Sequence, residues 1–94
     1  MTVEILVDKI SAKSKAENVD LKIAAAMVRE DIRVSGELTP EIDENLNKAE
    51  SLFYRFLNYP DVYARFAEER FTNLSYEDWN AEMDKAREAK AKGE

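Results

Sequence analysis

All nine aromatic side chains of this 94-residue chain lie between Phe53 and Trp79. Most of the excess negative charge falls in the same part of the sequence. Residues 37–84 hold four Lys/Arg against twelve Asp/Glu, whereas residues 1–36 hold six of each and residues 85–94 hold four against two. Aromatic rings gain free energy by leaving water and carboxylates lose it. A stretch rich in both must therefore sort them onto a buried face and a displayed one. With two Gly, two Pro and abundant Ala, Lys, Glu, Leu and Arg, the way to do this is with helices. The expectation is an all-α protein: a compact bundle of four to five short amphipathic helices forming one domain over 1–94. A chain of this length supports a single core of modest stability.

Five helical segments are legible. Thr2 is a cap residue before Val3, Leu6, Val7 and Ile10, which recur at i, i+3, i+4 and i+7. Little apolar content follows from Ser11 to Asn18, so this helix is expected to fade there. Asp20 offers the next cap, and Leu21, Ala25, Val28 and Ile32 form a second stripe, with Ile23, Met27 and Val34 expected to widen it. Ser35-Gly36 ends that helix, with Gly36 suited to a left-handed position just past it. Thr39-Pro40 reads as a third start, since proline at the first helical position has no N–H to waste. Ile42, Leu46, Ala49, Phe53 and Phe56 then repeat at steps of four and three, a heptad seam of barely two repeats, before Tyr59-Pro60 interrupts it. A fourth helix is expected from about Asp61 to Phe71, with Val62, Tyr63, Phe66, Ala67 and Phe71 inward. Ser75 and Asp78 make an acidic capping box, with Leu74 and Trp79 placed for a hydrophobic staple. Tyr76, Trp79, Met83 and Ala86 complete the fifth stripe, and 87–94 is expected to be a frayed charged tail.

The chain lacks both Cys and His. That removes disulfides, thiolate metal sites, the usual general base and the side chain that titrates near neutral pH. Residues 31–42 resemble an EF-hand calcium loop at Asp31, Ser35, Gly36 and Leu38, but Arg33 and Ile42 stand where that loop supplies oxygen ligands. A Gly cap followed by a Thr-Pro start explains the same residues without a metal. Glu50-Ser51-Leu52 is similar to the attachment site of acyl carrier proteins, although there the serine stands at a helix start and Ser51 falls inside a helical pattern. Adjacent carboxylates such as Glu68 and Glu69, or Glu77 and Asp78, point in different directions on a helix and mark no pocket. The expectation is a non-enzymatic protein with no cofactor and no metal.

The Val3–Ile10 run is broken by Glu4, Asp8 and Lys9, too short and too charged for a membrane span or a signal peptide, so a soluble cytoplasmic protein is expected. The acidic stretch repels phosphates and favours basic surfaces. The lysines and arginines of the first two helices, Lys9, Lys13, Lys15, Lys22, Arg29 and Arg33, leave a small DNA-binding regulator as one alternative, though equal numbers of acids accompany them. Tyr54, Arg55, Tyr59 and Tyr63 lie off the stripes or near the Pro60 break and are candidate partner anchors, being residue types enriched in interface hot spots. Glu41, Glu44, Glu68, Asp78 and Glu82 are the candidate charges displayed toward a basic protein partner. In size and charge the chain resembles small acidic inhibitors of phage and mobile elements, including anti-CRISPR and anti-restriction proteins. What that implies is a regulator that occupies a basic, nucleic-acid-binding surface. The other alternative is a phage-type assembly chaperone or oligomeric structural protein, in which the heptad seam or the aromatic bend joins copies.

Overall fold

The computed structural model describes residues 1–92. Among them it contains five helices and no strand: α1 (Val3–Glu17), α2 (Leu21–Val34), α3 (Pro40–Asn58), α4 (Pro60–Glu69) and α5 (Tyr76–Ala91). The chain is therefore all-α, as its periodicities require. Its residues divide into two compact units, Met1–Ser51 and Leu52–Glu94. No helix among the described residues is long and apolar enough to cross a membrane.

In the first unit α1 packs against α2 across a three-residue connection. The Thr2 hydroxyl accepts the Ile5 N–H at 3.2 Å, and the Asp20 carboxylate accepts the Ile23 N–H at 2.8 Å, so both starts are capped as the residue types predict. α1 does not fade at Ser11 but continues to Glu17. Ala12, Ala16 and the lysines between them are strong helix formers, and its end is closed by Asn18 in the left-handed region (φ 54°, ψ 49°). The Val19 N–H turns back to the Ser14 carbonyl, and the Ser14 hydroxyl donates to the Val19 carbonyl at 2.6 Å. Leu6, Val7, Ile10, Ala24, Ala25, Val28, Ile32, Leu46 and Ala49 are the buried apolar residues of this unit.

Ile23, Met27 and Val34 do not widen that buried face. At roughly 100° per residue they form a stripe of their own on the far side of α2 from Val28 and Ile32. Val34 is 72% exposed and Ile23 nearly half so, with Met27 intermediate. Gly36 closes α2 at φ 81°, and the Glu37 N–H reaches the Ile32 carbonyl. The Thr39 hydroxyl accepts the Ile42 N–H at 3.2 Å ahead of Pro40, which opens α3.

The second unit holds the aromatic interior. Phe56 and Phe66 stack with centroids 4.6 Å apart, and Trp79 meets them edge-on at 6.2 and 5.6 Å. Leu52, Phe53, Phe56, Phe66, Trp79 and Met83 are buried, each large ring worth about 1.5–3 kcal/mol of transfer free energy. Leu52 lies outside the heptad spacing and widens the stripe. Ala67, expected inward, is exposed, and Phe71 is half-buried beyond the helix.

α4 stops at Glu69 rather than Phe71. Arg70 there adopts φ 53°, ψ −136°, a conformation that costs a non-glycine residue about 1–3 kcal/mol. Two bonds hold it: its N–H donates to the Phe66 carbonyl, and its own carbonyl accepts the Trp79 indole N–H at 2.8 Å. Its guanidinium lies 5.0 Å above the Phe66 ring. The Ser75–Asp78 capping box forms in both directions and starts α5, which then runs to Ala91. The charged tail anticipated from residue 87 is thus helical and exposed as far as Ala91, and its last two residues, 93 and 94, lie outside the described part.

Candidate functional site

The disposition of charge, unit by unit, decides what this chain presents. In Met1–Ser51, Arg29 reaches from α2 to a row on α3 spaced one turn apart, pairing with Asp43, donating to Asn47 at 2.9 Å and meeting Glu50 at 3.4 Å. Arg33 pairs with Glu30 on its own helix, which raises the guanidinium and holds the Glu30 carboxyl below the usual carboxylate range. Lys13 bridges from α1 to Asp31 at 3.0 Å, and that hydrogen bond, with the attraction of the same carboxylate, raises the ammonium above the ordinary lysine value. Asp31 is therefore a helix residue engaged by a lysine. The segment that resembles a calcium loop begins inside α2, and no group of three or more potential ligand side chains converges among the described residues.

In Leu52–Glu94, Arg55 spans from α3 to α5, donating to Asn80 at 2.5 Å and to Asp84 at 2.6 Å. Arg65 meets Glu69 at 3.4 Å and Glu82 at 3.3 Å, with its guanidinium 5.4 Å from the Trp79 ring centroid. Arg87 lies 3.9 Å from Asp84. Every arginine of the chain is thus drawn to a partner within it.

The sequence-derived anchors fare differently from one another. Tyr54 is displayed on α3, 52% exposed. Arg55 is committed to α5, a role invisible in the sequence because its partners lie 25 and 29 residues away. Tyr59 is half-buried at the α3–α4 break, where its N–H donates to the Phe56 carbonyl. Tyr63 joins the interior, tilted against Phe56 at 5.6 Å and stacked near Phe66 at 6.3 Å. Leu57, which sequence reasoning missed, is 65% exposed one turn beyond Tyr54. Its signal was its place outside the heptad stripe.

Among the acids, Glu41 and Glu68 are exposed and have no ion pair among the described residues, and Asp61 and Glu77 share that state. Glu44 sits 3.9 Å from Lys48. Asp78 is exposed but accepts the Ser75 N–H in the capping box. Glu82 is half-buried between Arg65 and Lys85 and is a structural ion-pair partner first. Glu41 and Glu44 belong to the first unit and Glu68, Asp78 and Glu82 to the second, so the acidic stretch of the sequence is shared between the two. Ser51 lies in the middle of α3, not at a helix start. The seam of α3 is also spoken for, since Leu46, Ala49, Phe53 and Phe56 are all buried.

Compared with known proteins, the chain matches no family model, no curated protein and no solved structure.

Proposed function

We propose that this chain is a small acidic protein-interaction module, not an enzyme, that acts in the cytoplasm by engaging a basic surface of a partner protein and so regulating or inhibiting it. The observation that supports this is the asymmetry of its charges. The arginines are engaged in internal pairs, whereas Glu41, Asp61, Glu68 and Glu77 are exposed with no ion pair among the described residues, as are Lys9, Lys15, Lys22, Lys90 and Lys92, four of which lie near the two ends of the chain or on α1. Each internal pair withdraws an acid together with its arginine, so the surface as a whole keeps the net charge of −6. Such a surface speeds encounter with cationic partners and repels phosphate, and the partner class that fits best is a nucleic-acid-binding protein whose basic face is occupied in place of its ligand.

The test is association kinetics with the partner recovered from the native cell, measured across a salt series. Steering is screened beyond about 8–10 Å at physiological ionic strength, so the association rate should fall as salt rises. Glu41→Lys and Glu68→Lys together should slow association and leave thermal stability unchanged. A salt-insensitive association rate, unaltered in that double variant, would remove the reading.

A second reading, an assembly protein that joins its own copies, draws on the exposed Ile23 and Val34 of α2, with the half-buried Met27 between them, rather than on the α3 seam. Solution mass separates the two: a monomer at tens of micromolar supports the module, and a stable oligomer dissolved by Val34→Glu supports assembly.

A further inference from the structure

Backbone strain in the second unit gathers at the corner between α4 and α5. Among its described residues Arg70 alone has a positive φ. The Thr72 N–H donates to the Glu69 carbonyl at 3.1 Å, which closes a tight turn with Arg70 at its second position, φ 53° and ψ −136°. Those angles belong to the first central residue of a type II′ turn, a place that glycine dominates because a side chain there is strained. Both flanks are fixed without the turn. The last bond of α4 runs from the Arg70 N–H to the Phe66 carbonyl, and α5 starts from its own capping box at Ser75 and Asp78. Between them Thr72 and Asn73 are exposed, and Phe71 and Leu74 are half-buried. The ties on this segment are local: the Thr72 bond, a 3.5 Å bond from the Asn73 amide to Glu69, and the T-shaped contact of Phe71 with Phe66 at 5.3 Å. To these the Trp79 indole adds its N–H, donated to the Arg70 carbonyl at 2.8 Å.

We infer that this corner is a strained latch: residues 70–74 open about Arg70 while α4 and α5 stay folded, drawing Phe71 off Phe66 and the Arg70 carbonyl off the Trp79 indole. Opening uncovers an aromatic edge that the closed turn hides. It also relieves the strain at Arg70, which offsets part of the cost of the bonds it breaks, and neither helix loses its own terminal bonds. Segments with few buried contacts and exposed hydrogen bonds are the ones that open below the free energy of global unfolding. The Trp79 bond is the catch, because it fastens the carbonyl of the strained residue to a fully buried ring. Glycine at position 70 would hold the same turn relaxed, whereas arginine keeps it loaded.

The test is native-state hydrogen exchange on the full chain across a series of low urea concentrations. Three N–H groups are followed, each corrected for its intrinsic rate: the Thr72 amide, the Trp79 indole, and the amide of the buried Met83 within α5 as the reference for unfolding of the whole unit. In the wild type the first two are expected to exchange together, with protection at least about tenfold below that of Met83 and little dependence on urea, since a local opening exposes little surface. Arg70→Gly and Arg70→Ala both remove the guanidinium, so the difference between them isolates the backbone. The Gly variant should protect Thr72 about tenfold more than the Ala variant, because relief of strain outweighs the freedom glycine gains in the open corner. Exchange of Thr72 and the indole at the protection and urea dependence of Met83 would overturn the latch. Equal protection of Thr72 in the two variants would overturn it as well. Should Arg70→Ala fail to fold, the wild-type series decides alone.

Discussion

Trp79→Ala is the perturbation that bears most directly on how the second unit is held together. Trp79 is fully buried, makes T-shaped contacts with Phe56 and Phe66, and supplies the indole N–H that the Arg70 carbonyl accepts at 2.8 Å. Truncation removes the ring and leaves a cavity between two aromatic neighbours that are themselves anchored, for which large-to-small substitutions cost about 3–5 kcal/mol. It also strands the Arg70 carbonyl, at about 1–3 kcal/mol for a buried group, while leaving in place the backbone strain that this bond helps to hold. A domain of this size has a total stability of roughly 5–14 kcal/mol at about 0.05–0.15 kcal/mol per residue, so the variant should lose a third or more of it. With a urea dependence of about 1–3 kcal/mol per molar, the midpoint seen by far-ultraviolet circular dichroism should fall by about 2 M. Trp79→Phe separates the contributions: it keeps most of the ring contact and loses the N–H, and should cost about 1–2 kcal/mol. A midpoint shift under about 0.5 M in Trp79→Ala would refute the reasoning, since no fully buried indole packed on two phenyl rings could be removed so cheaply.

Gly36→Ala should destabilise by about 1 kcal/mol, because a Cβ there meets nothing within 4 Å and the whole effect is the positive φ of 81°; a thermal melt within one degree of wild type would contradict this. Raising pH tests the α1–α2 bridge: Lys13 is held above the ordinary lysine value by Asp31, so its stabilisation is fully present below that ordinary value and fades as pH climbs through the raised one. Hydrogen exchange in α1, corrected for its intrinsic pH dependence, should quicken over that window in wild type and change less in Lys13→Met; identical profiles would show that the bridge contributes nothing.

The helix starts were legible because they are local. Thr2, Asp20, Thr39-Pro40 and Ser75 with Asp78 each act within three residues, and all of them cap as their chemistry demands. So was the identity of the deepest rings, since Phe53, Phe56, Phe66 and Trp79 fall on helical stripes. What escaped the sequence was decided by distant partners. Arginine does not advertise a positive φ, and Arg70 takes one where its carbonyl meets an indole nine residues later. Val34 looks like a core residue until the alanines at 24 and 25 define the opposite face of α2 as the buried one. Arg55 reads as a free hot-spot residue until α5 brings Asn80 and Asp84 to it, and Leu57 gains interest only once its neighbours on α3 are seen to be buried. The α1 extension past Ser11 has another origin: it carries little apolar periodicity, and the intrinsic propensity of an alanine- and lysine-rich stretch sustains the helix instead.

The chain contains one tryptophan, and it sits in the second unit with its N–H bonded in the interior. Its emission therefore reports the melting of residues 52–92 alone, whereas helical ellipticity reports all five helices together. If the two signals fall at one temperature, the halves of the chain unfold as a single cooperative body. If they part, the optical record itself resolves two independent foldons without a label or a cut.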